Sequence, residues 1–151
     1  MNVADLCSRN VISVRKTDEV IAAARLMREH HVGYLVVIDP DFAGSTVRPI
    51  GVLTDRDIVV GIIAKERDPR SLVVGDVMTE NPVVLDRLDS ITAAVAEMRR
   101  IGVRRMPVTG ELGQLIGVLS LDDVLDALAG ELHNLAGAVR NEQRIENALR
   151  P

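Results

Sequence analysis

Apolar and polar positions along the 151-residue chain fall into two runs of the same kind. Each run opens with a short apolar stretch, residues 11–14 and 83–85, of a length that suits a buried strand. Apolar residues at helical spacing come next: Val20, Ala23, Ala24 and Met27 in the first run, and Ile91, Ala94, Val95, Met98 and Ile101 in the second. Such a stripe belongs to a helix laid on a core, and Thr17/Asp18 and Asp89/Ser90 stand where its cap is expected. Two further apolar stretches predict strands, residues 34–38 and 50–53, then 105–108 and 115–119. A second helix closes each run, over about residues 55–64 and 121–129. The order β-α-β-β-α therefore occurs twice.

The two runs are copies of one another. Residues 3–10 align with residues 74–81 at a shift of 71, which holds through Asp18/Asp89, Ala22/Ala93, Met27/Met98, Val32/Val103 and Val37/Val108. Ile50-Gly51-Val52-Leu53-Thr54 then falls on Ile116-Gly117-Val118-Leu119-Ser120, with Asp57 on Asp123, at a shift of 66. The five-residue difference lies within residues 39–49, whose Pro, Gly, Ser and Asp content predicts a hairpin loop. A copy of about 60 residues buries too little of its own surface to be stable alone, so the two are expected to pack sheet to sheet around a pseudo-twofold axis. The expected domains are residues 3–66 and 72–130, joined by the charged segment 65–71 and followed by a helical tail, residues 131–151. The fold class is α/β (α+β) with that C-terminal helix.

Composition narrows the function. Hydrophobic residues make up 47% of the chain, but Tyr34 and Phe42 are its only aromatics, so the core is aliphatic. Acidic residues number 22 against 18 basic ones, and Lys16 and Lys65 are the only lysines. A net acidic chain without a basic run or stacking aromatics is not expected to bind nucleic acid. No stretch reaches the roughly 18 apolar residues of a membrane span, and residues 1–10 lack a signal-peptide pattern. With one cysteine, Cys7, no internal disulfide can form, and a cytoplasmic location is expected.

The tandem β-α-β-β-α units resemble the CBS domain family in the paired arrangement called a Bateman module. The resemblance rests on Gly-apolar-apolar-(Thr/Ser)-x-x-Asp before each second helix, on residues 102–108 (Gly-Val-Arg-Arg-Met-Pro-Val), and on Asp-Val-Met-Thr-x-x-Pro over residues 76–82. It covers about residues 3–130. It implies a regulatory module rather than an enzyme, sensing an adenosine-type nucleotide (AMP, ADP, ATP or a related compound) as a regulatory ligand, with no cofactor required. Its partners would be a second copy in a homodimer and an effector protein.

Thr54-x-x-Asp57 and Ser120-x-x-Asp123 each sit at a strand-to-helix junction. Open helix amides there favour a phosphate, and a carboxylate one turn on can accept hydrogen bonds from ribose hydroxyls. The same spacing also makes a capping box that merely starts a helix. The resemblance implies phosphate and ribose contacts for Thr54, Asp57, Ser120 and Asp123, and an adenine slot against Ile12-Ser13 and Val83-Val84. It also points Arg104 toward phosphate; the alternative is a solvated or ion-paired surface arginine. The residue aligned with Arg104 is Gly33, so the two sites are expected to be unequal, with Arg56 a partial substitute.

Other residues carry less. His30 and His31 end a helix, and no Cys/His spacing suits zinc. Cys7 aligns with Met78 and is expected to be buried. No nucleophile–base constellation or phosphate loop occurs. In the tail, Leu128, Leu132, Leu135 and Val139 make a stripe that either packs back on the module or meets a partner. A protein-interaction scaffold that binds no nucleotide is the rival function.

Overall fold

The computed structural model describes residues 1–40 and 46–150. Its elements run α1 (Val3–Leu6), β1 (Ser13–Arg15), α2 (Val20–His30), β2 (Tyr34–Pro40), β3 (Val47–Thr54), α3 (Asp55–Ile58), β4 (Thr79–Glu80), β5 (Leu85–Asp86), α4 (Ile91–Ile101), β6 (Arg105–Thr109), β7 (Leu115–Ser120) and α5 (Leu121–Leu149). One sheet has the order β1-β2-β3-β4 and the other β5-β6-β7. In each sheet the first strand runs parallel to the second, as the intervening helix requires, and the next pairing is antiparallel. β3 and β7 meet across the interface between the two halves. This is the mixed α+β architecture expected from the repeat.

Details differ from the expectation. β1 starts at Ser13 and β5 at Leu85, so Ile12, Val83 and Val84 precede the ladders. Glu19, without a side-chain bond, is the N-cap of α2; Asp18 instead accepts a 2.8 Å bond from the Arg15 amide. Ser90 does cap α4, accepting from the Ala93 amide. β2 and β3 extend into the expected hairpin loop, pairing Asp39 with Arg48 and Pro40 with Val47, and residues 41–45 of that loop lie outside the described residues.

The second helices of the repeats differ most. In the first half α3 passes after four residues into a π-helical turn, Val59–Ile63, and the linker follows. In the second half the expected last helix and the expected helical tail are one element: α5 continues unbroken for 29 residues, running through Gly130. A single helical glycine costs only about 1 kcal/mol relative to alanine, and good helix formers flank it. No helix among the described residues is long and apolar enough to cross a membrane.

The halves exchange their opening segments. The Val3 and Ala4 amides donate to the Asp89 and Arg87 carbonyls (2.9 and 3.0 Å), and Ser8 exchanges two backbone bonds with Val118 in β7 (2.9 and 3.0 Å). Equivalently, the Val74 and Gly75 amides donate to Asp18 and Lys16 in the first half (2.8 and 2.9 Å), and β4 pairs with β3. Val3 and Cys7 accordingly belong to the core built on Leu85, Met106 and Leu119, while Val74 joins the core of Val14, Leu35 and Leu53.

This exchange explains the glycine of Ile-Gly-Val-Leu. A Cβ on Gly117 would lie 2.7 Å from both the Ser8 carbonyl oxygen and Cys7 Sγ; one on Gly51 would lie 3.0 Å from the Thr79 oxygen and 2.9 Å from Met78 Sδ. The arm crosses each strand where only a hydrogen fits.

Candidate functional site

Two clefts open between the halves. The larger, about 600 Å³, is lined by Thr54, Arg56 and Asp57 from the first half and by Val83, Arg104 and Arg105 from the second. The smaller, about 260 Å³, takes Ser120 and Asp123 from the second half and Asn10, Ile12 and His31 from the first. Each cleft thus joins the hydroxyl–acid pair of one repeat to the segment before the first strand of the other. The larger falls within the roughly 300–1,000 Å³ typical of small-ligand pockets, and the smaller lies just under it.

Of the residues predicted from sequence, Thr54, Arg56, Asp57, Arg104 and Val83 come together in the larger cleft. Ile12, Ser120 and Asp123 come together in the smaller. Ser13 and Val84, each one residue further along the chain, line neither. Arg56 lines the cleft that already holds Arg104, so it adds no arginine to the smaller one.

Both hydroxyl–acid pairs form capping boxes. Asp57 Oδ2 accepts from the Thr54 amide (2.9 Å) and Thr54 Oγ1 from the Asp57 amide (3.1 Å). Ser120 and Asp123 repeat this at 3.0 and 3.1 Å, with the Ser120 hydroxyl also donating to Asp123 Oδ2 at 2.6 Å. In each carboxylate Oδ1 has no partner among the described residues, so the cap leaves an acceptor toward the cleft. The capping and binding readings are compatible.

The open-amide expectation fails at α3. The Asp55 amide donates to the Gly33 carbonyl (3.0 Å), the Arg56 amide to Asp55 Oδ1 (2.8 Å), and the Asp57 amide to Thr54. Positive charge in the larger cleft comes instead from guanidinium groups. Arg104 is exposed and pairs with Asp122 at 3.1 Å. Arg56 and Arg105 have no ion pair among the described residues.

Tyr34 and Arg105 line both clefts, and sequence reasoning passed over them. They align with one another at the shift of 71, directly after Gly33 and Arg104, and their unlike side chains hid the equivalence. Burial pushes the Tyr34 phenol above its ordinary value, opposed by the nearby Arg105 charge. Asn81, also on the larger cleft, sits in the left-handed region at φ 48°, which asparagine tolerates better than most residues. Cys7 is buried, and burial raises its thiol. Among the described residues no group of three or more His, Cys, Asp or Glu side chains could hold a metal ion.

The chain has relatives of known fold. It is 28% identical over 125 residues to an uncharacterized protein of Methanopyrus kandleri, covering 83% of this chain and 61% of that protein, so it spans less than two thirds of that relative's length. It is 32% identical over 120 residues to hypoxic response protein 1 of Mycobacterium tuberculosis, covering 80% of each. A crystal structure of Hypoxic Response Protein I with two coordinated zinc ions matches at a TM-score of 0.72 and 31% identity, over 83% of this chain and 98% of that one. The fold is also that of a CBS domain pair solved with 5′-methylthioadenosine and S-adenosyl-L-methionine, at a TM-score of 0.73 and 18% identity, over 87% of this chain and 98% of that one. The CBS domain profile matches residues 3–64 and again 74–130. With two such matches over most of its length and the fold to go with them, the chain belongs to the CBS domain family, as a CBS domain pair.

Proposed function

We propose that this CBS pair is a regulatory module that binds an adenosine-type nucleotide between its halves and relays occupancy to a partner protein. The observation that carries the reading is the larger cleft. It gathers a hydroxyl, a carboxylate with a free oxygen, three guanidinium groups and an apolar wall at Val83 and Met106. Those are the groups that ribose, phosphate and a purine face require. The smaller cleft repeats the hydroxyl–acid pair and the apolar wall, with Arg105 as its one arginine. A single buried thiol suits the reducing cytoplasm. Signalling then needs a ligand that prefers one arrangement of the halves, because equal affinity for both shifts nothing.

Isothermal titration calorimetry against AMP, ADP, ATP, S-adenosylmethionine and NAD tests the reading. Saturable binding by at least one of them is expected, weakened at least about tenfold by Asp57→Asn combined with Asp123→Asn. Asparagine keeps the amide-accepting oxygen of the cap, so the variant stays folded. Unchanged affinity in that variant removes the site assignment. A blank across the panel favours the scaffold reading, which Gly33 at the arginine position and the exposed stripe of α5 support.

A further inference from the structure

α5 is about 43 Å long at 1.5 Å per residue, yet Val124 is its only buried residue. Past Leu128 every residue except Gly137 is exposed. The predicted stripe of Leu128, Leu132, Leu135 and Val139 does not fold back on the module: these four, and Leu125 which extends the row, are 51–67% exposed. A lone helix in water is marginally stable, and a row of five large apolar side chains on one face asks for a cover.

The sequence of the stripe says what covers it. Leu121, Leu125, Leu128, Leu132, Leu135 and Val139 are separated by steps of four, three, four, three and four. That series reads the same in both directions about residue 130. A stripe with this symmetry is complementary to an antiparallel copy of itself, setting Leu125 opposite Leu135, Leu128 opposite Leu132, and Val139 level with Leu121. It is the self-matching surface that a twofold interface needs, at the spacing of knobs-into-holes packing.

Charge selects the same orientation. Residues 121–131 carry Asp122, Asp123, Asp126 and Glu131 and no Lys or Arg, whereas Arg140 and Arg144 lie in the later half. Antiparallel pairing brings Arg140 alongside the acidic first turn of the second copy. Parallel pairing would instead align Glu142 and Glu146, which continue the stripe, each with its own duplicate. The antiparallel seam also ends at Val139 because the partner helix begins at Leu121, which accounts for the change to glutamate beyond it.

We infer that α5 is a homodimerisation helix, packed antiparallel against α5 of a second copy of this chain with its crossing near residue 130. The inference is independent of nucleotide binding. Sedimentation velocity of the full chain over a wide concentration range is expected to show a dimer, and Leu132→Glu combined with Leu135→Glu to weaken association at least about tenfold. Those side chains are solvent-exposed and lie outside both cores, so the variant's module should still unfold cooperatively, with any loss of helical circular dichroism confined to the uncovered tail. Orientation is read by disulfide cross-linking, with buried Cys7 as the unreactive background. Ala129→Cys, beside the crossing, should link two copies, and Ala136→Cys, about 18 Å from its duplicate along an antiparallel pair, should not. A monomeric wild-type chain, a dimer untouched by the two glutamates, or equal linking at residues 129 and 136 would each overturn the inference.

Discussion

Replacing Gly117 by alanine tests the arm exchange at its tightest point. The new Cβ would stand 2.7 Å from the Ser8 carbonyl oxygen and 2.7 Å from Cys7 Sγ. The sulfur could rotate, but the Ser8 backbone is held by two bonds to Val118, at 2.9 and 3.0 Å. Relief therefore requires the arm to lift, stretching those bonds and loosening Val3 and Cys7 from the core they share with Leu85 and Leu119. Overpacking of this kind costs about 1–3 kcal/mol, and weakening the bond pair adds about 1 kcal/mol. Gly51→Ala is milder, near 1 kcal/mol, because its 2.9 Å neighbour is the flexible Met78 side chain and its backbone contact is 3.0 Å. Urea unfolding followed by far-UV circular dichroism should rank wild type above Gly51→Ala and Gly51→Ala above Gly117→Ala. Faster Cys7 modification by a thiol reagent should accompany Gly117→Ala. A Gly117→Ala variant within about 0.5 kcal/mol of wild type, with Cys7 still protected, would refute the reasoning.

Two further outcomes follow from the electrostatics. Asp122→Asn removes the partner of Arg104. Because an exposed pair is worth about 1 kcal/mol at most, ATP affinity measured by calorimetry should rise, by up to about fivefold, with no change for adenosine. Burial raises both Cys7 and Tyr34 above their ordinary values, so the fold favours their protonated, neutral forms. That contribution is complete below the ordinary thiol value and is lost as pH climbs through the raised values. The urea midpoint should therefore fall on the alkaline side, and less so in Cys7→Ala combined with Tyr34→Phe.

Local periodicity made the repeated β-α-β-β-α order legible. Val20, Ala23 and Met27, and their counterparts Ala94 and Met98, are buried where their spacing puts them. The exchange of arms was not legible, because burying Val3 and Cys7 is satisfied equally by either half, and a one-dimensional pattern names no partner. Glycines 51 and 117 were visible as a motif, but their cause lies in backbone arriving from the other repeat. The short β1 and β5 have a related origin: Ile12 and Val83 are apolar, as strand residues are, yet they lie just before the strands and line the clefts. The helical tail was legible from the stripe Leu128, Leu132, Leu135 and Val139, which keeps helical spacing across Gly130, and α5 joins it to the last helix of the repeat without a break.

The candidate site was half legible for a physical reason. Thr54-x-x-Asp57 and Ser120-x-x-Asp123 have one spacing and two uses, and the geometry assigns one oxygen of each carboxylate to the cap while leaving the other free. What sequence could not supply was the pairing of halves. Exchange of the arms carries residues 79–83 to the edge of β3, beside Thr54 and Asp57, while the strand carrying Arg104 and Arg105 enters from the second repeat. The aligned Gly33 lines both clefts, so the loss of one arginine in the first repeat is felt as an imbalance between two composite sites. With the α3 amides already occupied, phosphate recognition in the larger cleft would fall on Arg56, Arg104 and Arg105. Arginines suit that role because the planar fork meets phosphate oxygens bidentately. On the nucleotide reading, the charge of the ligand and not the adenosine part distinguishes the two clefts, since ribose and adenine find equivalent groups in both.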